Sequence, residues 1–113
     1  MSDLSTFQEI KENIQKDPVQ MCWRDLMIRN SVKHDIATGS PNLARDARNV
    51  AIFDLAFADL QADWSDAETS RVLYDDAMKM MRISKEAGAS MGDLDAIAQN
   101  VGRRIPPVSE KRR

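Results

Sequence analysis

Cysteine is almost absent from this 113-residue chain: Cys22 stands alone, so neither an intrachain disulfide nor a cysteine-built metal cluster can form. Histidine is as scarce. His34 by itself falls short of the usual three protein ligands of a catalytic zinc, and its neighbour Asp35 projects about 100° away on a helix, so the two make no ready dyad. Aromatic residues are 5% of the chain, and there are four glycines and four prolines, which excludes low-complexity and collagen-like classes. No apolar run approaches the roughly 18 residues that cross a bilayer. The first residues lack a basic segment followed by an apolar one, so a cytoplasmic protein is expected rather than a membrane-spanning or secreted one. No glycine-rich phosphate loop, nucleophile elbow or zinc-protease motif occurs. The expectation is a protein that is not an enzyme and carries no cofactor and no metal.

What is present is a globular composition, 42% hydrophobic and 30% charged. The length suits one domain with a single core. Formal charge is −2, unevenly spread. From Arg103 onward there are five bases (Arg103, Arg104, Lys111, Arg112, Arg113) against Glu110, which leaves −6 for the first 102 residues. The reading is a helical domain over 1–104, followed by a basic tail over 105–113 that Pro106 and Pro107 keep extended.

Side chains able to accept from free backbone N–H groups precede each periodic segment, and five helices follow from them. Ser5 with Gln8 predicts a first helix over 6–16. Asp17 followed by Pro18 opens a second, stopped by Gly39. Ser40 and Pro41 open a third that reaches Trp64. Ser65 with Glu68 opens a fourth to Gly88, and Ser90 with Asp93 a short fifth to about Gly102. Strand-like alternation and internal repeats are missing. Short connections favour antiparallel neighbours, and the fold class is an all-α bundle with the third helix, 41–64, at its centre.

The third helix is apolar twice over. Val50, Phe53, Phe57, Leu60 and Trp64 make one stripe, and Ala51, Leu55, Ala58 and Ala62 a second, separated by strips of Asp54 with Gln61 and of Asp59 with Asp63. Helix four presents Val72, Leu73, Ala77, Met80, Ile83 and Ala87, with a lane of Tyr74, Met78 and Met81 beside them. Helix two divides into an arc of Val19, Cys22, Trp23, Leu26 and Met27 and another of Met21, Ile28, Val32 and Ile36. This apolar supply exceeds what one small bundle needs. The methionine-rich lane, Tyr74, Met78 and Met81, is therefore the leading partner-binding surface, with Met21, Ile28 and Val32 as a second patch. The partner is another protein or a second copy of the chain. Cys22 is expected to be a buried small hydrophobe.

Two further readings carry chemistry. Asp59, Asp63 and Asp66, at i, i+4 and i+7, have the spacing to approach a hard cation, but Asp66 is accounted for at a helix start and the other two by a solvated strip. Ile83, Ala87, Gly88, Leu94 and Ile97 resemble the apolar-and-glycine pattern of a helix-turn-helix motif, over about a fifth of the chain. Ser84 stands where a small alanine is usual, and Asp93 and Asp95 would repel phosphates at the front of a groove-reading helix. The alternative function is accordingly a DNA-binding regulator using 83–104 and the bases Arg103, Arg104, Lys111, Arg112 and Arg113. The leading expectation is a non-enzymatic protein–protein interaction module: a small regulator, adaptor, inhibitor or accessory subunit, with homodimerisation open to it.

Overall fold

The computed structural model describes residues 2–64 and 66–106. Among them are five helices and no strand: α1 (Asp3–Lys16), α2 (Pro18–Thr38), α3 (Leu43–Asp63), α4 (Ala67–Glu86) and α5 (Leu94–Arg104). Local chemistry sets several boundaries as the sequence predicts. The Asp17 carboxylate accepts from the Gln20 N–H at 3.1 Å and Pro18 occupies the first turn of α2. Gly39, at φ +67°, ends that helix in the left-handed conformation.

Other boundaries move. α1 begins at Asp3 rather than Thr6, because Ser2 accepts from the Ser5 N–H at 3.0 Å and takes over the cap assigned to Ser5. Ser40 accepts from the Asn42 N–H, so it closes a turn and α3 starts at Leu43. Asp66 caps α4 through the Thr69 N–H, while Ser65, the expected cap, lies outside the described residues. α5 starts at Leu94, four residues beyond the proposed cap Ser90. The delay has a cause in another part of the chain. Arg48 donates to the Ser90 and Met91 carbonyls, Gly92 turns at φ +53°, and the Asp93 N–H donates to Asp3. A Cβ on Gly92 would sit 2.8 Å from an Asp3 carboxylate oxygen, so that turn requires glycine.

α3 is the centre. From Val50 to Leu60 every residue is buried except the half-buried Phe57, so both apolar lanes are covered by the chain's own helices. Contacts fix the directions. Ser84 donates to the Ala44 carbonyl and Ser70 to the Ala58 carbonyl, so α4 runs antiparallel to α3. Arg29 with Asp54, and Val32 beside Val50, set α2 antiparallel as well. Asp3 meets Arg48 and Lys11 meets Asp59, so α1 runs parallel to α3, as does α5 through Arg104 and Asp59. α3 and α4 share by far the most extensive contact. Small residues make it close: Ala47, Ala51 and Ala58 on α3 and Ser70, Ala77 and Ser84 on α4 are fully buried.

This shifts two sequence-level assignments. Val72, placed on the inner face of α4, is 68% exposed, and Trp64, placed on the α3 stripe, is 54% exposed. Buried serines that spend their hydroxyls on α3 carbonyls replace Val72 in facing α3, and they rotate α4 away from the orientation that its bulkier apolar residues suggest. In urea unfolding, Leu55→Ala is expected to cost about 2–5 kcal/mol, since its side chain is wholly enclosed and leaves a cavity. Val72→Ala is expected to stay within about 0.5 kcal/mol.

Candidate protein-interaction surface

The outer face of α2 carries the largest concentration of apolar side chains left open to solvent. Val19, Trp23, Leu26 and Met27 are exposed, Trp23 at 62% and Met27 at 65%, and Cys22 lies exposed among them. Their spacings of three and four put them on one stripe along the first half of the helix. Two shallow depressions follow the ridge formed by Val19 and Trp23. One, of about 360 Å³, runs over Pro18, Cys22 and Leu26, and the other, of about 410 Å³, over Gln20, Arg24 and Met27. Arg24, Gln20 and Asp17 give the stripe a polar border. The expectation that Cys22 is buried is therefore corrected, because α2 turns the opposite arc toward α3.

The residues singled out from sequence are divided between core and surface. Met21 and Val32 are buried and Ile28 is half-buried in the packing of α2, so these three are spent within the chain, while Ile36 of the same arc is exposed. Met81 is buried, while Tyr74 and Met78 are half-buried. Together these three floor a groove of about 560 Å³ between α4 and α5, rimmed by Arg82, Lys85, Asp95 and Gln99. α5 covers part of that lane: a Cβ on Gly102 would come within 2.8 Å of the Tyr74 hydroxyl, so glycine permits the approach.

The charged candidates have structural employment. Asp59, read as part of a solvated strip, is 2% exposed and accepts from Lys11 of α1 and Arg104 of α5, and Arg104 also reaches Asp63. Asp66 caps α4. Among the described residues no group of three His, Cys, Asp or Glu side chains is placed to hold a metal ion, and no helix is long and apolar enough to cross a membrane. Of the bases assigned to the alternative function, Arg104 is held by Asp59 and Asp63, Arg103 donates to Asn100 at 3.2 Å, and Lys111, Arg112 and Arg113 lie outside the described residues. His34 is exposed on α2.

Sequence reasoning missed the buried network behind α2. Arg29 donates to Asp25 at 3.0 Å, to Asp76 at 2.7 Å and to Asp54, which is entirely enclosed. Burial of Arg29 works against its charge, but the nearby Asp54, Asp76 and Asp25 outweigh it and raise the guanidinium pKa further. Asp76 of α4 finds its partner in Arg29 of α2. The only local signal was a carboxylate, Asp54, in the middle of the most apolar helix. Removing Arg29 would strand three carboxylates, so Arg29→Met is expected to cost about 3–5 kcal/mol in chemical unfolding. Arg24→Met, at an exposed position of the same helix, is expected to stay within about 0.5 kcal/mol.

Comparison with protein-family models, with curated proteins and with solved structures finds no match to this chain.

Proposed function

We propose that this chain is a non-enzymatic protein-interaction module that docks its partner on the outer face of α2. The observation that carries this reading is the contiguous exposure of Val19, Cys22, Trp23, Leu26 and Met27. Scattered single apolar residues are normal on a protein surface, whereas a contiguous stripe rimmed by polar groups marks a site of association. Trp23 suits the role, since a large aromatic side chain with few rotatable bonds anchors interfaces at low entropic cost. Nearly all the apolar bulk of this stretch faces outward, although Met21 shows that the helix has an inner face to use.

A second copy of the chain is the simplest occupant. Val19 and Met27 lie four residues to either side of Trp23, so two antiparallel α2 helices related by a twofold axis at Trp23 bring Val19 of each against Met27 of the other. In light scattering coupled to size exclusion, the wild type is expected at twice its 12.8 kDa chain mass. The double variant Trp23→Glu, Met27→Glu is expected at the single-chain mass with unchanged helical circular dichroism, since both positions are exposed. A short bismaleimide is expected to link Cys22 to its symmetry mate in the wild type only. A monomeric wild type leaves a different protein as the occupant, to be sought by capture with wild type against the double variant. Identical masses and identical captured proteins for the two chains would refute the use of this face.

A further inference from the structure

Most cations that face a neighbouring helix are spent there. Lys11, Arg29, Arg48 and Arg104 each hold a carboxylate of another helix. The groove between α4 and α5 is the exception. Among the described residues, Arg82 on its rim has no hydrogen-bond or ion-pair partner, and Arg71 meets the ring of Tyr74, 5.3 Å from its centroid, but no carboxylate. Lys85 stands 3.7 Å from Asp95 with both side chains more than half exposed, so that pair contributes little. Asp95 is the one carboxylate among the groove's lining residues. Asp75 and Glu86, four residues on from Arg71 and Arg82, are exposed but outside the lining. Arg71, Arg82 and Lys85 thus stand over this groove against Asp95 alone, on a body that carries −6 over residues 1–102.

The groove has the length of a chain segment. Tyr74 and Lys85 lie eleven residues apart, so its α4 wall extends about 16 Å, or about three turns of helix. At about 560 Å³ it exceeds either depression on α2. Ala98 and Gly102 have too little bulk to fill it from the α5 side, which leaves Tyr74 and Met78 only half-buried. Methionine side chains are unbranched and polarizable, so Met78 and Met81 can adapt to apolar groups of differing shape.

We propose that the α4–α5 groove binds an acidic amphipathic segment of another protein, with its apolar side chains on Tyr74, Met78 and Met81 and its carboxylates toward Arg71, Arg82 and Lys85. An amphipathic helix lays its apolar face into such a groove, and its flanking charges select the partner. The same cations attract phosphates, but two features favour a peptide over a nucleic acid. Unpaired bases stack on open aromatic faces, and here Arg71 lies over the ring of Tyr74. Asp95 repels a backbone charged at every nucleotide, whereas a peptide sets its carboxylates only opposite the cations. No residue of this site belongs to α2, so it stands whether or not α2 pairs with a second copy.

Methyl NMR of the full chain with labelled methionine reads the site directly. The probe is a capped peptide of about four helical turns with leucines along one face and glutamates elsewhere, and its control carries lysine for each glutamate. The acidic peptide is expected to shift the Met78 and Met81 methyl signals and to leave Met27 of α2 in place. It is expected to bind about tenfold more tightly than the lysine peptide, with an affinity that falls as salt rises. Arg82→Glu with Lys85→Glu, both at exposed positions, is expected to keep the helical circular dichroism, to weaken the acidic peptide about tenfold and to strengthen the lysine one. The Met78 and Met81 shifts are expected to persist in Trp23→Glu, Met27→Glu, and their loss there would place the peptide on α2 and overturn the groove. Equal affinity for the two peptides, no shift at millimolar acidic peptide, or an unchanged affinity in the Arg82, Lys85 variant would each overturn it as well. Tighter binding of a thymidine oligonucleotide at the same methyls would assign the groove to nucleic acid instead.

Discussion

A helix enclosed on every side must find a partner within the chain for each polar group it carries, and α3 carries several. Arg48 and Asp59 are eleven residues apart, about 20° around its axis, so they share a face and address α1 and α5 at its two ends, while Asp54, more than 100° from either, addresses another side. Arg48 holds Asp3 of α1 and the carbonyls of Ser90 and Met91 ahead of α5. Asp54 takes Arg29 of α2, which also holds Asp76 of α4. Asp59 takes Lys11 of α1 and Arg104 of α5. Every surrounding helix is tied to the centre by at least one of these groups. Burying a charge without its partner is strongly unfavourable, so these pairs select one arrangement of four outer helices among the many that apolar burial alone would accept.

The outer helices are not equally bound. α4 lies closest, because Ser70, Ala77 and Ser84 present almost no side-chain bulk and the two serines satisfy their hydroxyls on α3 carbonyls. α2 stands at the other extreme. Its inward face is narrow and rich in polar groups, and its outward face holds Trp23, Leu26 and Met27. α2 is thus held by the ion pairs of Arg29 on one side and offers an apolar stripe on the other.

Much of the candidate site was readable as composition but not as placement. The division of α2 into two apolar arcs is plain in its spacing, since Val19, Trp23 and Leu26 fall on one side and Met21, Ile28 and Val32 on the other. Which arc faces inward is decided by Arg29, whose reach to Asp54 and Asp76 orients the helix. Helical periodicity measures where apolar residues cluster around an axis and carries no information about which neighbour approaches. The same limit explains Val72 and Trp64, both apolar and both outside, and Ser70 and Ser84, both polar and both inside. The lane of Tyr74, Met78 and Met81 was half legible: its residues do share a face, but α5 covers part of it through contact at Gly102, a position whose meaning appears only when α5 is in place.

Interactions between residues three or four apart in sequence were determined by the chain alone. The Asp17 cap, Pro18 in the first turn and the left-handed Gly39 need nothing beyond their own turn of backbone, and with the period of the apolar residues they specify an all-α chain with an apolar helix at its centre. Tertiary structure decided whatever depends on a group distant in sequence. The start of α5 follows from Asp3 and Arg48, and the burial of Asp54 and Asp59 from cations on other helices. The physical reason is the same throughout. A local hydrogen bond is specified by spacing, whereas the free energy of a buried charge or an apolar face depends on what the rest of the fold brings against it.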